Sequence, residues 1–531
     1  MARCDGPTLR AVSLFKSAST VSLLTLASRV TGLVRDVLMS SVFGVSALTD
    51  AFYVAFRIPN LFRRVLGEGA FSQAFVPVLA ACKAEQGDVG AKELVDHVGT
   101  LLTWTLVLLC VLGVVAAPLM VWAMASGLQK SNSFDAAVVM TRWMFPYIGF
   151  MSLVAFAGGI LNTWRNFVVP AASPVLLNVA LIVAIVLGAP LFRYWGIEPI
   201  YAQCVGVMVG GVLQLGLQIP ALRKLGMLPR IGVSWAALRA AWASPTTRKI
   251  LGMMVPAMIG VSGAQISLLI NTQIASHLAA GSVTWITNAD RLMEFPSAML
   301  GVALGVVLMP QLAGARAKQD HVRYSALLDW GLRLVVLLSV PASVALIVFA
   351  LPLVAVLFHN GAFSALDVQR TSVALMGWGV GLLGIVAIKI LAAGFYARHD
   401  MRTPMRMSLI TLALTQVLNV ALVPQLQHAG LTLSIGIAQL LNALLLLRGL
   451  HRAGIYKPEP GWWRFLVQVS VATLTLGVLL VWAGQHVDWI GLREQRWLRA
   501  GWLAAVMAGS AVLYFGTLAL AGVRLRSFMR H

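Results

Sequence analysis

An all-α protein that crosses a membrane about fourteen times is the fold this sequence predicts. Two six-helix lobes related by a pseudo-two-fold along the membrane normal are expected, followed by two C-terminal helices. Composition points there first: 59% of the 531 residues are hydrophobic and 11% are charged, with a mean hydropathy of +0.84. Ordinary soluble domains are about 45–50% apolar and about 25% charged. A series of apolar runs of spanning length and an internal repeat supply the rest.

Residues 1–16 read as a short, basic, cytoplasmic extension. The first span starts near Ser17, is interrupted by charge and shows no small-residue cleavage site, so it is not read as a signal peptide. A second helix follows the junction Gly44–Leu48. Further apolar runs centre on 97–125, 136–161, 168–190, 198–222, 250–278, 284–312, 329–357, 366–395, 404–425, 428–449, 463–485 and 498–522. They divide into an N-lobe (17–226), an amphipathic cytoplasmic linker (227–249) marked by Trp235, Leu238 and Trp242, a C-lobe (250–455), and a final pair of helices (456–531).

With the N-terminus inside, the loops expected in the cytoplasm carry Lys83, Lys92, Arg165, the group from Arg223 to Lys249, Arg316, Arg398, Arg448, and finally Arg524, Arg526 and Arg530. Short inner loops are enriched in Lys and Arg, so both termini are expected in the cytoplasm. The same asymmetry accounts for most of the formal net charge of +21, and nucleic acid is not an expected partner. One outer loop breaks the rule: Arg493, Arg496 and Arg499 are only partly offset by Asp488 and Glu494.

The repeat appears as three short matches. Pro77–Gln86 matches Pro310–Gln319 at a spacing of 233, Leu177–Leu181 recurs as Leu418–Leu422, and Leu222–Gly226 as Leu450–Gly454. The same order at nearly one spacing indicates a duplicated unit. An even number of helices per copy gives both copies one orientation in the membrane.

The stretch Ser28–Glu68 is apolar enough for two spans, yet it carries Arg29, Arg35, Asp36, Asp50, Arg57, Arg63, Arg64 and Glu68. A charge at the centre of a spanning helix costs roughly 2.5–3.5 kcal/mol, so these groups must face a wet interior. A 100° step puts Arg29, Gly32 and Asp36 on one face, with Arg35 beside them. In the second helix Asp50, Arg57, Asn60, Arg64 and Glu68 fall within about 80° of one another. Arg63 sits about 60° outside that stripe, where Pro59 can re-aim it. Aligning the repeats sets Arg57 against Arg291, whose neighbours Asp290 and Glu294 give the second lobe its own charged helix. The two charged faces are expected to meet in a central cleft. Guanidinium forks match phosphate oxygens bidentately, which suits a phosphate or diphosphate headgroup. Ion pairs that lock helices together are the plainer alternative.

The stretches SRVTGLVRD, TDAFYVAFRIPNLFRRVLGEGAFSQAFVP, LNTWRN, ADRLMEFPSAMLGVALG and KILAAGFYAR closely resemble the MurJ/MviN lipid II flippases. That family belongs to the multidrug/oligosaccharidyl-lipid/polysaccharide exporter superfamily, and the resemblance runs from about Phe15 to the C-terminus. It implies a transporter rather than an enzyme, with a cationic central cavity and an apolar groove on helices 13 and 14 for a polyprenyl tail. The implied substrate is lipid II, undecaprenyl-diphosphate-MurNAc-pentapeptide-GlcNAc. It would be moved outward across the bacterial inner (cytoplasmic) membrane for peptidoglycan synthesis. Cavity residues carried over are Arg29, Arg35, Arg63 and Arg291 with Asp50, supported by Asp36, Asn60, Arg64, Glu68, Asp290 and Glu294. A monomer is expected, in contact with membrane lipids and with proteins of cell-wall synthesis as candidate partners. No cofactor is implied; the membrane potential or an ion is the expected driving force. Spans seven, eleven and twelve contain no Asp or Glu, which argues against the sodium site of some relatives. Alternatives are a flippase for another polyprenyl-diphosphate-linked glycan and a cation-coupled drug exporter of the same superfamily, the latter needing an acid-lined or aromatic cavity.

Other signals carry less. Cys4, Cys82, Cys110 and Cys204 form no CxxC pair and read as inert thiols. Gly379-Val-Gly381-Leu-Leu-Gly384 spells a dinucleotide fingerprint, but inside a membrane helix it reads as close packing. His277, His359 and His428 show no metal-ligand spacing. Lys389, within the tenth span, reads either as snorkelling to the surface or as cavity charge.

Overall fold

Every regular element among the described residues is a helix, as lipid demands: a backbone group without an internal partner there costs several kcal/mol. The structure, a computed structural model, describes residues 7–64 and 71–523, with side chains over 20–64, 71–254, 258, 265–298 and 308–523. Cys4, Glu68, Arg524, Arg526 and Arg530 lie outside the described residues. Among the described residues, ten segments are long and apolar enough to cross a membrane. The remaining four expected spans correspond to the charged opening pair and to the helices Pro245–Ser276 and Ser282–Ala317. The chain divides into two compact units, Met1–Ala280 and Gly281–His531.

The first unit holds α1 (Pro7–Phe43), α2 (Ala47–Phe62), α3 (Ser72–Val115), α4 (Ala117–Ala125), α5 (Phe134–Met144), α6 (Tyr147–Thr163), α7 (Val168–Val183), α8 (Ala189–Tyr194), α9 (Tyr201–Lys224), α10 (Trp235–Ala243) and α11 (Pro245–Ser276). The turn between α1 and α2 is set by Gly44, at φ 64°, and by a capping box. Ser46 accepts from the Thr49 N–H while Thr49 Oγ1 accepts from the Ser46 N–H. Helix α3 starts well before the expected span at 97 and bends at Gly87 (φ 68°, ψ −163°). Its first half packs through an aromatic stack, Phe71 on Phe75 at 5.1 Å and Phe75 on Phe156 at 5.0 Å, over buried Leu79, Ile160 and Leu161.

The linker is strapped to α3. Asp96 Oδ1 accepts from the Arg230 N–H at 2.7 Å, Thr100 Oγ1 accepts from the Gly232 N–H at 3.0 Å, and Trp104 Nε1 donates to Gly232 O at 3.0 Å. Trp235 and Trp242 of α10 stay exposed, as suits an interfacial helix. Helix α11, which the repeat assigns to the second half, packs on α3 and α4. Gln273 clasps Ser126 through its N–H (2.8 Å) and hydroxyl (2.6 Å). A Cβ on Gly127 would lie 2.2 Å from Ser276 O.

The second unit holds α12 (Ser282–Ala317), α13 (His321–Val348), α14 (Ala350–Phe358), α15 (Ala365–Tyr396), α16 (Arg402–Leu426), α17 (His428–Arg452), α18 (Trp462–His486) and α19 (Arg496–Leu520). Helix α15 is its spine. A Cβ on Gly381 would lie 2.5 Å from the Gly436 Cα, and one on Gly384 would lie 2.6 Å from the Gln439 carbonyl carbon. Two of the glycines that spell a nucleotide fingerprint, Gly381 and Gly384, are therefore the seam between α15 and α17, while the third, Gly379, faces Leu346 and Ile347 of α13. The terminal pair is anchored by Asp329, 1% exposed. Its Oδ1 accepts from Tyr456 Oη (2.8 Å), the Glu459 N–H (3.2 Å) and Trp462 Nε1 (2.7 Å), and its Oδ2 from Arg333 Nε (2.7 Å).

Candidate functional site: the charged helices

In the first unit the structure gives several of the charged groups of α1 and α2 their partners. Arg35 donates to Asp36 Oδ1 through Nε (2.9 Å) and Nη2 (2.6 Å) and to Asn178 Oδ1 through Nη1 (3.0 Å). Asn178, on α7, returns its amide nitrogen to Ser28 O at 2.9 Å and to Thr31 Oγ1 at 3.3 Å on α1. A Cβ on Gly32 would sit 3.5 Å from that amide, so the small residue admits it. Asp36 is buried at 2% exposure; its charge is matched by a guanidinium one residue away. Arg29 is half-buried on the same helix and makes no hydrogen bond or ion pair among the described residues.

On α2, Asp50 is buried in the first turn, where the positive end of the helix dipole favours a carboxylate. Arg57 donates to Thr272 Oγ1 of α11 at 2.9 Å, and Thr272 passes its proton to Leu268 O at 2.7 Å. Arg63 Nε donates to Asn60 Oδ1 at 3.1 Å, so it reaches into the stripe from which the periodicity had displaced it. Helix α2 runs on through Pro59 to Phe62. Arg64 is exposed and unpaired among the described residues.

In the second unit Arg291 Nη1 pairs with Glu294 Oε2 at 3.0 Å, one turn on, both partly exposed. Asp290 is exposed beside them. Lys389 of α15 donates to Ser297 O at 2.8 Å, and Ser297 Oγ donates to Glu294 O at 3.1 Å. Lys389 thus lies against the charged segment of α12. Sequence reasoning missed Asn178 and Thr272 as partners of Arg35 and Arg57. Asn178 did carry a signal, since it stands in the repeated Leu-Asn-Val-Ala-Leu segment whose second copy holds Asn419.

An uncompensated guanidinium beside a tethered one on the same helix attracts an anion with several oxygens. The family model described as lipid II flippase MurJ matches residues 39–492. A Burkholderia cenocepacia protein called lipid II flippase MurJ is 51% identical over 98% of this chain and 99% of its own. A Haemophilus influenzae protein called a probable lipid II flippase MurJ is 36% identical over 94% and 98%. Among solved structures, one of lipid II flippase MurJ in an inward closed conformation superposes with a TM-score of 0.77 at 21% identity, covering 96% of this chain and 99% of that one. A multidrug resistance MATE family transporter of the MOP superfamily follows at 0.61 and 16% identity, covering 82% and 98%, which is a likeness of fold. With a family match across most of its length and relatives aligned over nearly their full length, this multi-pass membrane protein belongs to the lipid II flippase MurJ family.

Proposed function

We propose that the chain moves lipid II from the cytoplasmic to the periplasmic face of the bacterial inner membrane, as a transporter and not an enzyme. The observation that carries this reading is the 51% identity, over nearly the full length of both chains, to a relative named for that activity. The physical support lies in Arg29, Arg35, Arg63 and Arg291, the groups that would hold the diphosphate, with Asp50 as the acid among them. Asp36, Asn60, Arg64, Glu68, Asp290 and Glu294 are supporting residues, the acids among them keeping the cations paired and hydrated between loads.

The mechanism proposed is alternating access. The diphosphate neutralises the arginines, like charges then repel less, and the conformation closed toward the cytoplasm becomes accessible. The prenyl tail stays in lipid along the last two helices. An inside-negative potential contributes about 2.3 kcal/mol per charge per 100 mV to outward movement of an anion, so no resident cofactor is needed. Both termini are placed in the cytoplasm, and the chain acts as a monomer.

The test is surface exposure of lipid II in cells where this chain is the sole flippase. Exposure should fall as the chain is depleted and recover on re-expression. Unchanged exposure during depletion, with lipid II synthesis intact, would refute the reading.

A further inference from the structure

The cluster of arginines that breaks the charge rule at the start of α19 has a structural explanation. Arg499 is 1% exposed and is the one buried arginine among the described residues. Its Nη2 donates to His359 O and Asn360 Oδ1, each at 3.3 Å, while Nε and Nη1 are buried without a hydrogen-bond partner. His359 is 2% exposed, and its Nδ1 also has no partner. Arg493 Nη2 donates to Gly361 O of the same turn. No ion pair joins Arg493, Arg496 or Arg499 to a carboxylate among the described residues. Asp488 is exposed, with its Oδ1 taken by the Gly491 N–H, and Glu494 is exposed without a partner.

A buried cation without a counter-charge is among the costliest arrangements a fold can hold. Buried polar groups left unpartnered in a native protein call for a ligand, an ion or water. Here the free donors are spread around one guanidinium, with a second guanidinium and an imidazole nitrogen beside it. Chloride would meet a single donor direction well; an anion with several oxygens meets them together. Burial first, then Arg493 and Arg499, holds the His359 imidazole below its ordinary pKa of 6.5, as expected of a site already rich in positive charge.

We propose that Arg499, Arg493, His359 and Asn360 form a binding site for a phosphate-bearing anion at the 358–364 turn, built from none of the residues assigned above to the transported headgroup. Free phosphate and a lipid phosphate headgroup share the required chemistry. The site also accounts for two of the three arginines where an outer loop should be poor in them.

The test uses the full-length protein purified in a non-ionic detergent. Its thermal midpoint is titrated with sodium phosphate against sodium chloride of equal ionic strength, and with short-chain phosphatidic acid against short-chain phosphatidylcholine. A phosphate probe should raise the midpoint of the wild type, with the half-saturating concentration at least tenfold higher in Arg499→Gln and in Arg493→Gln. A response to both probes assigns the site to phosphate in general, and a response to the lipid alone assigns it to a headgroup. If neither probe raises the midpoint, or both variants titrate like the wild type, the proposal is overturned. Should Arg499→Gln fail to fold, Arg493→Gln at the partly exposed turn decides.

Discussion

Arg35 of α1 and Asn178 of α7 are joined by a 3.0 Å hydrogen bond, and the same amide donates to Ser28 O, about two turns back on the same face of α1. A side chain on the seventh helix therefore fixes the angle at which Arg35 leaves the first. Asn178→Leu removes that hold but leaves the Asp36 pair. Displacing a binding group by a fraction of an ångström is costly to turnover, so transport should drop about tenfold at unchanged membrane abundance, read as surface-exposed lipid II. Asn178→Gln should lie between.

Arg29 has no partner to lose among the described residues. Arg29→Ala should leave the thermal midpoint almost unmoved, within about 0.5 kcal/mol as for other unpaired positions, while failing to replace an essential flippase. Arg291→Ala should fail likewise. Full replacement by both variants would end their assignment to the headgroup.

Asp329 has the opposite profile, since it takes four donors in the interior. Asp329→Ala leaves Arg333 and the Tyr456 and Trp462 donors without their acceptor, a loss of about 3–5 kcal/mol. It should appear as a large fall in the detergent melting temperature. Arg333→Ala should cost about as much, and the double variant much less than the sum.

Asp400 offers a pH signature outside the spans. The Thr403 hydroxyl (2.7 Å) and N–H (3.0 Å) and the Arg402 N–H (3.1 Å) hold its carboxyl below its ordinary value of 3.8. A depressed carboxylate contributes stability that is fully present above 3.8 and is lost as pH falls through the lower folded value. Asp400→Ala should cost about 1 kcal/mol at pH 7, as a lost helix cap does. The gap between the two proteins should close on acidification below pH 4. A gap independent of pH would mean the carboxylate is not the origin.

The charged faces of α1, α2 and α12 were legible because a 3.6-residue period reports which side chains share a face, and charge in an apolar helix admits few explanations. The period is silent about what stands opposite. Asn178 and Thr272 sit in apolar runs of other helices; the repeat singles out Asn178, but nothing in either segment says which charge its side chain meets. Helix α3 was cut short for a related reason. Its first 25 residues mix charged with apolar positions and carry Gly87, so the continuous apolar run is shorter than the hydrogen-bonded helix. The arginines near Arg499 were visible as an exception, but only the fold shows that one of them turns inward.

The glycine seam of α15 and α17 bears on how this family can move. Where Gly381 meets Gly436, backbone touches backbone, leaving no thickness of side chain that could be compressed or re-packed into a second arrangement. Two helices in such contact act as a single plank. Any rocking between states must therefore be absorbed at softer places, in bends such as Gly87 or in the turns between helices, and a bulky residue set into the seam would jam the plank rather than loosen it.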